Sequence, residues 1–487
     1  MNFDTFLLMK PELSLIFIIF ILLILKVWDG IQSNKAMINI ANALFFIYMI
    51  SGFFLNGTGE LFSGMYHTNA IIAFEKNILS VGAFIIFLQS YDWLEDNKNA
   101  LEFYVIIMCT LLGMEYMISS GNFLMFYLGL ELSSIPLATL ANFDLDKPKS
   151  SEAAGKLIIS SAFASAIMLF GISMLYGTTG TLNFNDMAMR ISSGTHYFAR
   201  VPGIGDVPSF GSNQLSLFAF ILIFAGFAFK LSIVPFHLWT ADVYEGAPVP
   251  VTSYLSVISK GSVIFIFITV LFTLFNNLAA TWYNILYLCI MLTIIVGNLF
   301  ALRQNNIKRF LAFSSITQMG YILLGVSSGT SIGASAAVFF LIVYTFSNLG
   351  AFGVVSLVAA TTGKEEISDY RGFYVNNKFA GWVLAISLFS LAGIPPTAGF
   401  FGKMFLVTAG AAKGNYVLIS LAALNMVVSL YYYLKVVKAV FIDKNDTPLP
   451  KIMGSLSSRV AMAICLLGII ATGFSGGLFE YINTIIK

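Results

Sequence analysis

FKLSIVPFHLWTADVYEGAPVPVTSYLSVISK (residues 229–260) decides the architecture. An apolar run carrying Lys230 is interrupted at Pro235, crosses the polar stretch Asp242–Glu245, and resumes after Pro248 and Pro250 as a second apolar run carrying Lys260. Proline inside a helix removes a backbone hydrogen bond and opens the turn. Such a gap survives in a membrane only where protein or water satisfies the freed groups.

The rest of the chain has the same character. Of 487 residues 58% are hydrophobic and 10% charged, and the mean hydropathy is +0.86. Soluble domains carry about 25% charged residues, so most of this chain must face lipid or other membrane helices. A span needs about 20 mostly apolar residues. Such runs fall at 12–28, 38–55, 73–91, 101–119, 121–141, 156–177, 214–236, 248–274, 277–301, 307–327, 331–360, 380–410, 416–441 and 457–482. The reading is an all-α membrane protein of about fourteen transmembrane helices, forming one polytopic domain over residues 1–487. The run at the N-terminus has no small-residue cleavage site after it and reads as a first span.

Lysine and arginine orient the spans. Connections after odd-numbered runs hold Lys35, Lys98, Lys147, Lys149, Arg303, Lys308, Arg309, Lys364, Arg371, Lys378, Lys444 and Lys451, against Arg190, Arg200 and Lys413 after even-numbered ones. The former are expected to be cytoplasmic, with both termini outside. The polar stretch 178–213 reads as an external loop with a short hairpin, and His67 and His196 fall in external loops.

Charge inside a span costs about 2.5–3.5 kcal/mol on insertion scales, which makes each such residue a functional candidate. Five stand out: Glu131, Lys156, Lys230, Lys260 and Lys403. The plainer reading of a lysine near a span end is that it snorkels to the headgroups; Lys156 and Lys260 are the more exposed to it. Lys230 and Lys403 lie deep and beside helix breaks, at Pro235 and at Gly393, Pro395 and Pro396. Glu131 has a plainer reading as half of a structural ion pair. A desolvated lysine loses its preference for the charged form and a nearby carboxylate restores it. A Glu–Lys pair whose separation changes is therefore a proton switch, and Glu131 and Lys230 are the natural partners. The breaks fall in runs seven and twelve, and Pro/Gly-interrupted spans in corresponding halves point to a transport site. Their odd offset makes equivalent helices antiparallel, as an inverted repeat demands.

His237, seven residues after Lys230, has the side-chain type to relay protons between Lys230 and Lys260; the plainer reading is a helix-end histidine bonded to a carbonyl. Glu115, four residues from the turn after run four, reads as an interfacial carboxylate. Asn298, Ser314, Ser315, Gln318 and Tyr431 to Tyr433 are polar groups of late spans, fit to line a hydrated path or to hold helices together. No nucleotide, zinc or dithiol motif occurs. Cys109, Cys289 and Cys465 are scattered in apolar runs, and no basic tract suits nucleic acid. Redox energy, if used, must come from another polypeptide.

Four stretches together resemble the antiporter-like membrane subunits of respiratory complex I (NADH–quinone oxidoreductase): 229–260, NIKRFLAFSSITQMGY (306–321), SNLGAFGVVSL (347–357) and SLAGIPPTAGFFGKMFL (390–406). WTADVYEGAP (239–248), Lys403 after the second break and YYYLKVV (431–437) resemble the N-type branch rather than the M or L types. The resemblance runs from about residue 100 to 440. It implies two inverted five-helix repeats, spans 4–8 (101–275) and 9–13 (276–441), with helices 1–3 before them (1–100) and one helix after (442–487). By resemblance Glu131 is the span-five glutamate, and Lys230, Lys260 and Lys403 are the lysines of spans seven, eight and twelve. Lys156 matches a further lysine after an S-x-E-A pattern, and Glu115 matches no charged position of the family. The implied function is proton translocation driven by quinone reduction elsewhere in a bacterial cytoplasmic-membrane complex. No cofactor is expected on this chain; NADH, FMN, iron–sulfur clusters and quinone belong to other subunits. The expected partners are other membrane-arm subunits and the lipid bilayer. A subunit of a multi-subunit Na⁺/H⁺ antiporter and a non-conducting structural subunit are the alternatives.

Overall fold

Apolar runs of this length satisfy their backbone only by coiling, and all of the runs above are helical in the computed structural model. It describes residues 6–27, 33–54, 57–193, 212–445 and 448–486. The helices are α1 (Lys10–Val27), α2 (Asn34–Gly52), α3 (Ala70–Gln89), α4 (Ala100–Ile118), α5 (Phe123–Ala141), α6 (Pro148–Thr179), α7 (Phe184–Ser193), α8 (Ser212–Leu231) and α9 (Leu238–Gly246). They continue as α10 (Val249–Thr273), α11 (Ala279–Ala301), α12 (Ile307–Val326), α13 (Ser331–Thr362), α14 (Lys378–Ala392), α15 (Ala398–Ala411), α16 (Tyr416–Phe441), α17 (Leu456–Phe474) and α18 (Gly476–Ile486).

Among the described residues twelve helices are long and apolar enough to cross a membrane. α12 falls outside that set although it has 20 residues, because Lys308 and Arg309 at its start add to Ser314, Ser315, Thr317 and Gln318 in its middle. It tolerates them by being enclosed: nearly all of it is buried. The run at 380–410 is the pair α14 and α15. The core centres on α13, in which 94% of the most apolar window is buried and which packs on α3, α14, α15, α17 and α18. α4 and α5 meet across Gly113 and Gly129, where a side chain on either would strike the other's carbonyl; small residues bring membrane helices this close.

Three expectations change. α6 starts at Pro148 rather than 156, with proline in the first turn where its missing N–H costs nothing. The last run is two helices parted at Ser475, beside Gly473, Gly476 and Gly477; glycine is a poor helix former. The loop 178–213 carries helix α7 where a hairpin was expected; residues 194–211, with His196 and Arg200, lie outside the described residues. A hairpin does form elsewhere, between Gly59–Leu61 (β1) and Tyr66–Thr68 (β2), pairing Glu60 with His67.

Candidate functional site

The first break positions Lys230. α8 ends at Leu231, Ser232 takes a φ of 61°, and the chain turns through the cis Val234–Pro235 bond before α9. The freed groups find protein partners, as a membrane interior requires. Val234 N–H donates to Thr293 Oγ1 of α11 (3.1 Å), Trp239 Nε1 donates to Phe229 O (3.0 Å) and Thr240 Oγ1 to Ser232 Oγ (2.7 Å). Lys230 Nζ donates to Ser134 Oγ at 2.5 Å and Ser161 Oγ at 2.8 Å. The expected Glu131–Lys230 contact is not made. Glu131 is within electrostatic range of Lys230, but the ammonium is taken up by serines of α5 and α6, and Glu131 Oε1 is buried with no hydrogen-bond partner. The pair is open.

His237 lies in the same break, as the residue before α9. Its Nδ1 is buried and unpartnered, and among the described residues no hydrogen bond joins it to Lys230 or Lys260. The relay contact read from sequence spacing is therefore absent here, because the turn at Pro235 abolishes the helical spacing it assumed.

Lys260 stands where a π-helical turn, Leu255–Ser259, rejoins the regular helix of α10; such turns concentrate at functional sites. The residue is 1% exposed, so the snorkelling reading fails. Its Nζ donates to Ser315 Oγ at 2.9 Å and lies 5.5 Å from the centre of the Tyr244 ring. Tyr344 OH donates to the same serine (2.9 Å), and Asn348 Nδ2 donates to Tyr344 OH (3.1 Å) and Ser256 Oγ (2.8 Å).

At the second break α14 stops at Gly393, whose φ of 84° suits only glycine, and the chain passes Pro395 and Pro396 into α15. The last carbonyls of a helix have no partner within it. Lys403, itself fully buried, reaches back to supply one: Nζ donates to Leu391 O (2.7 Å) and Ala392 O (3.1 Å), and lies 5.0 Å from the Tyr321 ring centre.

Between the two lysines runs a buried polar chain. Ser314, next to Ser315 on α12, shares a 2.6 Å hydrogen bond with Tyr433 OH. Gln318 Nε2 donates to Tyr433 OH and to Leu391 O, both at 3.0 Å, and Leu391 O is the acceptor of Lys403. Gln318 Oε1 and Asn348 Oδ1 are buried without partners; acceptors of this kind are what buried waters bond to. Asn298 and Tyr432 instead knit α11, α12 and α16 together, and Tyr431 is exposed.

Lys156 is elsewhere. Its side chain is 42% exposed and pairs with Asp242 Oδ2 (2.6 Å) and Glu152 Oε1 (2.7 Å). Arg309 Nη1 joins Asp242 (2.7 Å) to Glu245 (3.0 Å), and Lys149 also holds Glu245 (2.9 Å). Partial burial opposes ionisation of the two carboxyls, but these cations hold both below the usual carboxylate range. Glu115, read as an interfacial carboxylate, is fully buried in protein, and sequence reasoning missed Glu12 and Lys76, a buried ion pair at 2.5 Å. The charge-in-a-span rule flags both, but each sits near a run end.

Residues 120–429 match the family described as NADH:quinone oxidoreductase/Mrp antiporter, TM. The chain belongs to this family. Curated relatives carry the name NADH-quinone oxidoreductase subunit N. That of Azobacteroides pseudotrichonymphae genomovar. CFP2 is 45% identical over 492 residues, 100% of this chain and 98% of the relative. That of Phocaeicola vulgatus is 44% identical over 427 residues, 87% and 86% of the two. Among solved structures, a chain of respiratory complex I from Thermus thermophilus with bound aureothin superposes with a TM-score of 0.79 at 27% identity, covering 96% of this chain and 98% of that one. A chain of the Mrp complex from Dietzia sp. DQ12-45-1b shares the fold, with a TM-score of 0.81 at 18% identity over 98% and 97%. The segment that matches the antiporter-like family contains both breaks and Glu131, Lys156, Lys230, Lys260 and Lys403.

Proposed function

We propose that this chain is a proton-translocating membrane-arm subunit of an NADH–quinone oxidoreductase. The observation that carries the reading is the buried polar chain from Lys260 to Lys403, which ends on the carbonyls of a broken helix. An inert scaffold gains nothing from burying two lysines without carboxylate partners. Quinone reduction on other subunits, which also hold the NADH, FMN and iron–sulfur sites, changes the field on Glu131 and Lys230. Opening that pair lets Lys230 release its proton toward Lys260, and the proton leaves by way of Lys403. Lys156, in its exposed ion-pair network, serves entry, and His237 lends a protonatable group at the first break.

The matching breaks support two inverted repeats, 101–275 and 276–441, flanked by residues 1–100 and 442–487. Each break pairs a positive φ with an X-Pro turn and a lysine, before the turn in one and after it in the other. Contacts among Lys149, Glu245, Arg309, Lys308 and Glu365 gather the lysine-rich connections on one membrane face, which supports a cytoplasmic assignment for it. Both termini then lie outside a bacterial cytoplasmic membrane. The test is Lys230→Ala in the assembled complex, with proton pumping and electron transfer recorded together and assembly checked on a native gel. Loss of pumping in an intact complex is expected. Unchanged pumping refutes the conducting role, and sodium-dependent proton exchange without quinone reduction would assign the chain to an antiporter instead.

A further inference from the structure

A second buried cluster lies in the N-terminal helices. Glu12 of α1, fully buried, meets Lys76 of α3 at 2.5 Å, and Tyr66 of β2 contacts both, at 3.1–3.2 Å from the carboxylate and 3.2 Å from the ammonium. Glu115 of α4 is within electrostatic range of Glu12 and Lys76. One oxygen, Oε1, accepts from Tyr48 OH of α2. The other, Oε2, is buried and has no partner, and the same holds for Oγ of Ser119, the residue that ends α4. Every one of these groups precedes residue 120, where the match to the family begins. Lys26–Glu102 and Lys35–Glu95 join the opposite ends of the same helices, so the cluster sits toward the lysine-poor membrane face.

The charges do not balance if all are ionised. Glu12 and Lys76 cancel, which leaves Glu115 as a carboxylate with one hydrogen bond, no cation in contact and no water-exposed surface. Burying a charge in that state is heavily penalised, whereas a protonated carboxyl removes the penalty. The other titratable groups nearby are Glu75 beside Lys76, Tyr116 beside Glu115, Tyr254 of α10, and His67, whose ring pairs with Glu60 at 3.1 Å; none of them places a cation in contact with Glu115. A cavity of about 10 Å³, lined by Tyr48, Lys76, Asn77 and Ser80 and bordered by Gly57 and Thr68 near the outer end, lies against the cluster. It is the size of a single water, and Tyr48 links it to Glu115.

We propose that Glu115, with the Glu12–Lys76–Tyr66 triad, is a proton-binding site separate from the lysine chain, which holds its proton on Glu115 and exchanges it with water through the Tyr48 cavity. The ligand is the proton, and the function is a store on the lysine-poor face, built between the three N-terminal helices and the first helix of the first repeat. The proposal does not rest on pumping by Lys230.

The test is infrared difference spectroscopy of the assembled complex, in light and heavy water, for the C=O stretch of a protonated carboxyl. The expected result is a band that shifts in heavy water, disappears in Glu115→Gln, and moves to higher frequency in Tyr48→Phe, which removes the donor to Oε1. A Glu115→Gln spectrum superimposable on the parent's overturns the proposal, since the carboxyl is then ionised. A band that ignores heavy water overturns the exchange. Should Glu115→Gln fail to assemble, Tyr48→Phe decides alone: a shifted band supports the site and an unmoved band refutes it.

Discussion

Tyr433→Phe tests the polar chain where it is most easily separated from stability. The substitution removes one hydroxyl and leaves the ring, which is fully buried, in place. Two hydrogen bonds go: the 2.6 Å bond with Ser314 Oγ and the 3.0 Å bond from Gln318 Nε2. Gln318 Nε2 keeps its bond to Leu391 O, so only Ser314 Oγ is stranded. A stranded buried hydroxyl costs about 1–3 kcal/mol, whereas replacing both partners by apolar groups of similar shape is close to neutral. The single variant is therefore expected to lose about 1–3 kcal/mol, and the double variant Tyr433→Phe/Ser314→Ala to recover most of it. Proton conduction behaves differently: without the Tyr433 hydroxyl nothing links the serines of α12 to Gln318, and the chain is cut in both. The assay is proton pumping in proteoliposomes with quinone reduction measured alongside, and thermal unfolding of the same samples. Pumping that returns together with stability in the double variant would refute the relay and make Tyr433 a structural strut.

Lys403→Met keeps the long stem but removes the ammonium; Leu391 O retains Gln318, Ala392 O is stranded, and a loss of about 1–3 kcal/mol in thermal stability should accompany lost pumping. Gly399→Ala would place a methyl 1.7 Å from Ser390 O, backbone against backbone. Overpacking of this kind costs at least about 1–3 kcal/mol, and a native gel should show little assembled complex; normal assembly would mean that the two half-helices part easily. Asp242 and Glu245 are held below the usual carboxylate range by Lys156, Lys149 and Arg309, against partial burial. Their contribution is complete above the unfolded values of about 4 and is lost as pH falls through the lower folded values. The unfolding midpoint should therefore drop below about pH 4, and less steeply in Asp242→Asn; parallel curves would show that the network does not couple to folding.

Most helices were legible because length and hydropathy are local properties, and both breaks because proline and glycine act on their own turn. Lys260 and Lys403 were found because a lysine in an apolar run is anomalous wherever it points. What failed depended on partners distant in the chain. Glu131 and Lys230 are 99 positions apart, and nothing local reports that Ser134 and Ser161 take the ammonium first. Glu115 looked interfacial because its distance from the turn is countable, whereas the β1–β2 hairpin that covers that end is held by contacts of Met65 and His67 with Gly121 and Ser119. Glu12 and Lys76 became one site only through folding. The π-helical turn before Lys260 and the break at Ser475 are single-residue adjustments, below what hydropathy resolves.

Lys403 stands at the end of α14 as the stopper of a helix it does not belong to. Helix ends are usually closed by backbone or water, whose capacity to bond never changes. Here the closure is a side chain that can be in two chemical states. An ammonium offers three donors and a full charge to the negative end of the helix dipole; a neutral amine offers two weaker donors and no charge. Handing the proton on therefore slackens the seat of Leu391 and Ala392, and with Leu391 the anchor of Gln318. On the proposed function, departure of the proton would be registered in the main chain, at the joint where α15 packs closely on the end of α14. In that arrangement a chemical event one atom wide acquires a lever two helices long.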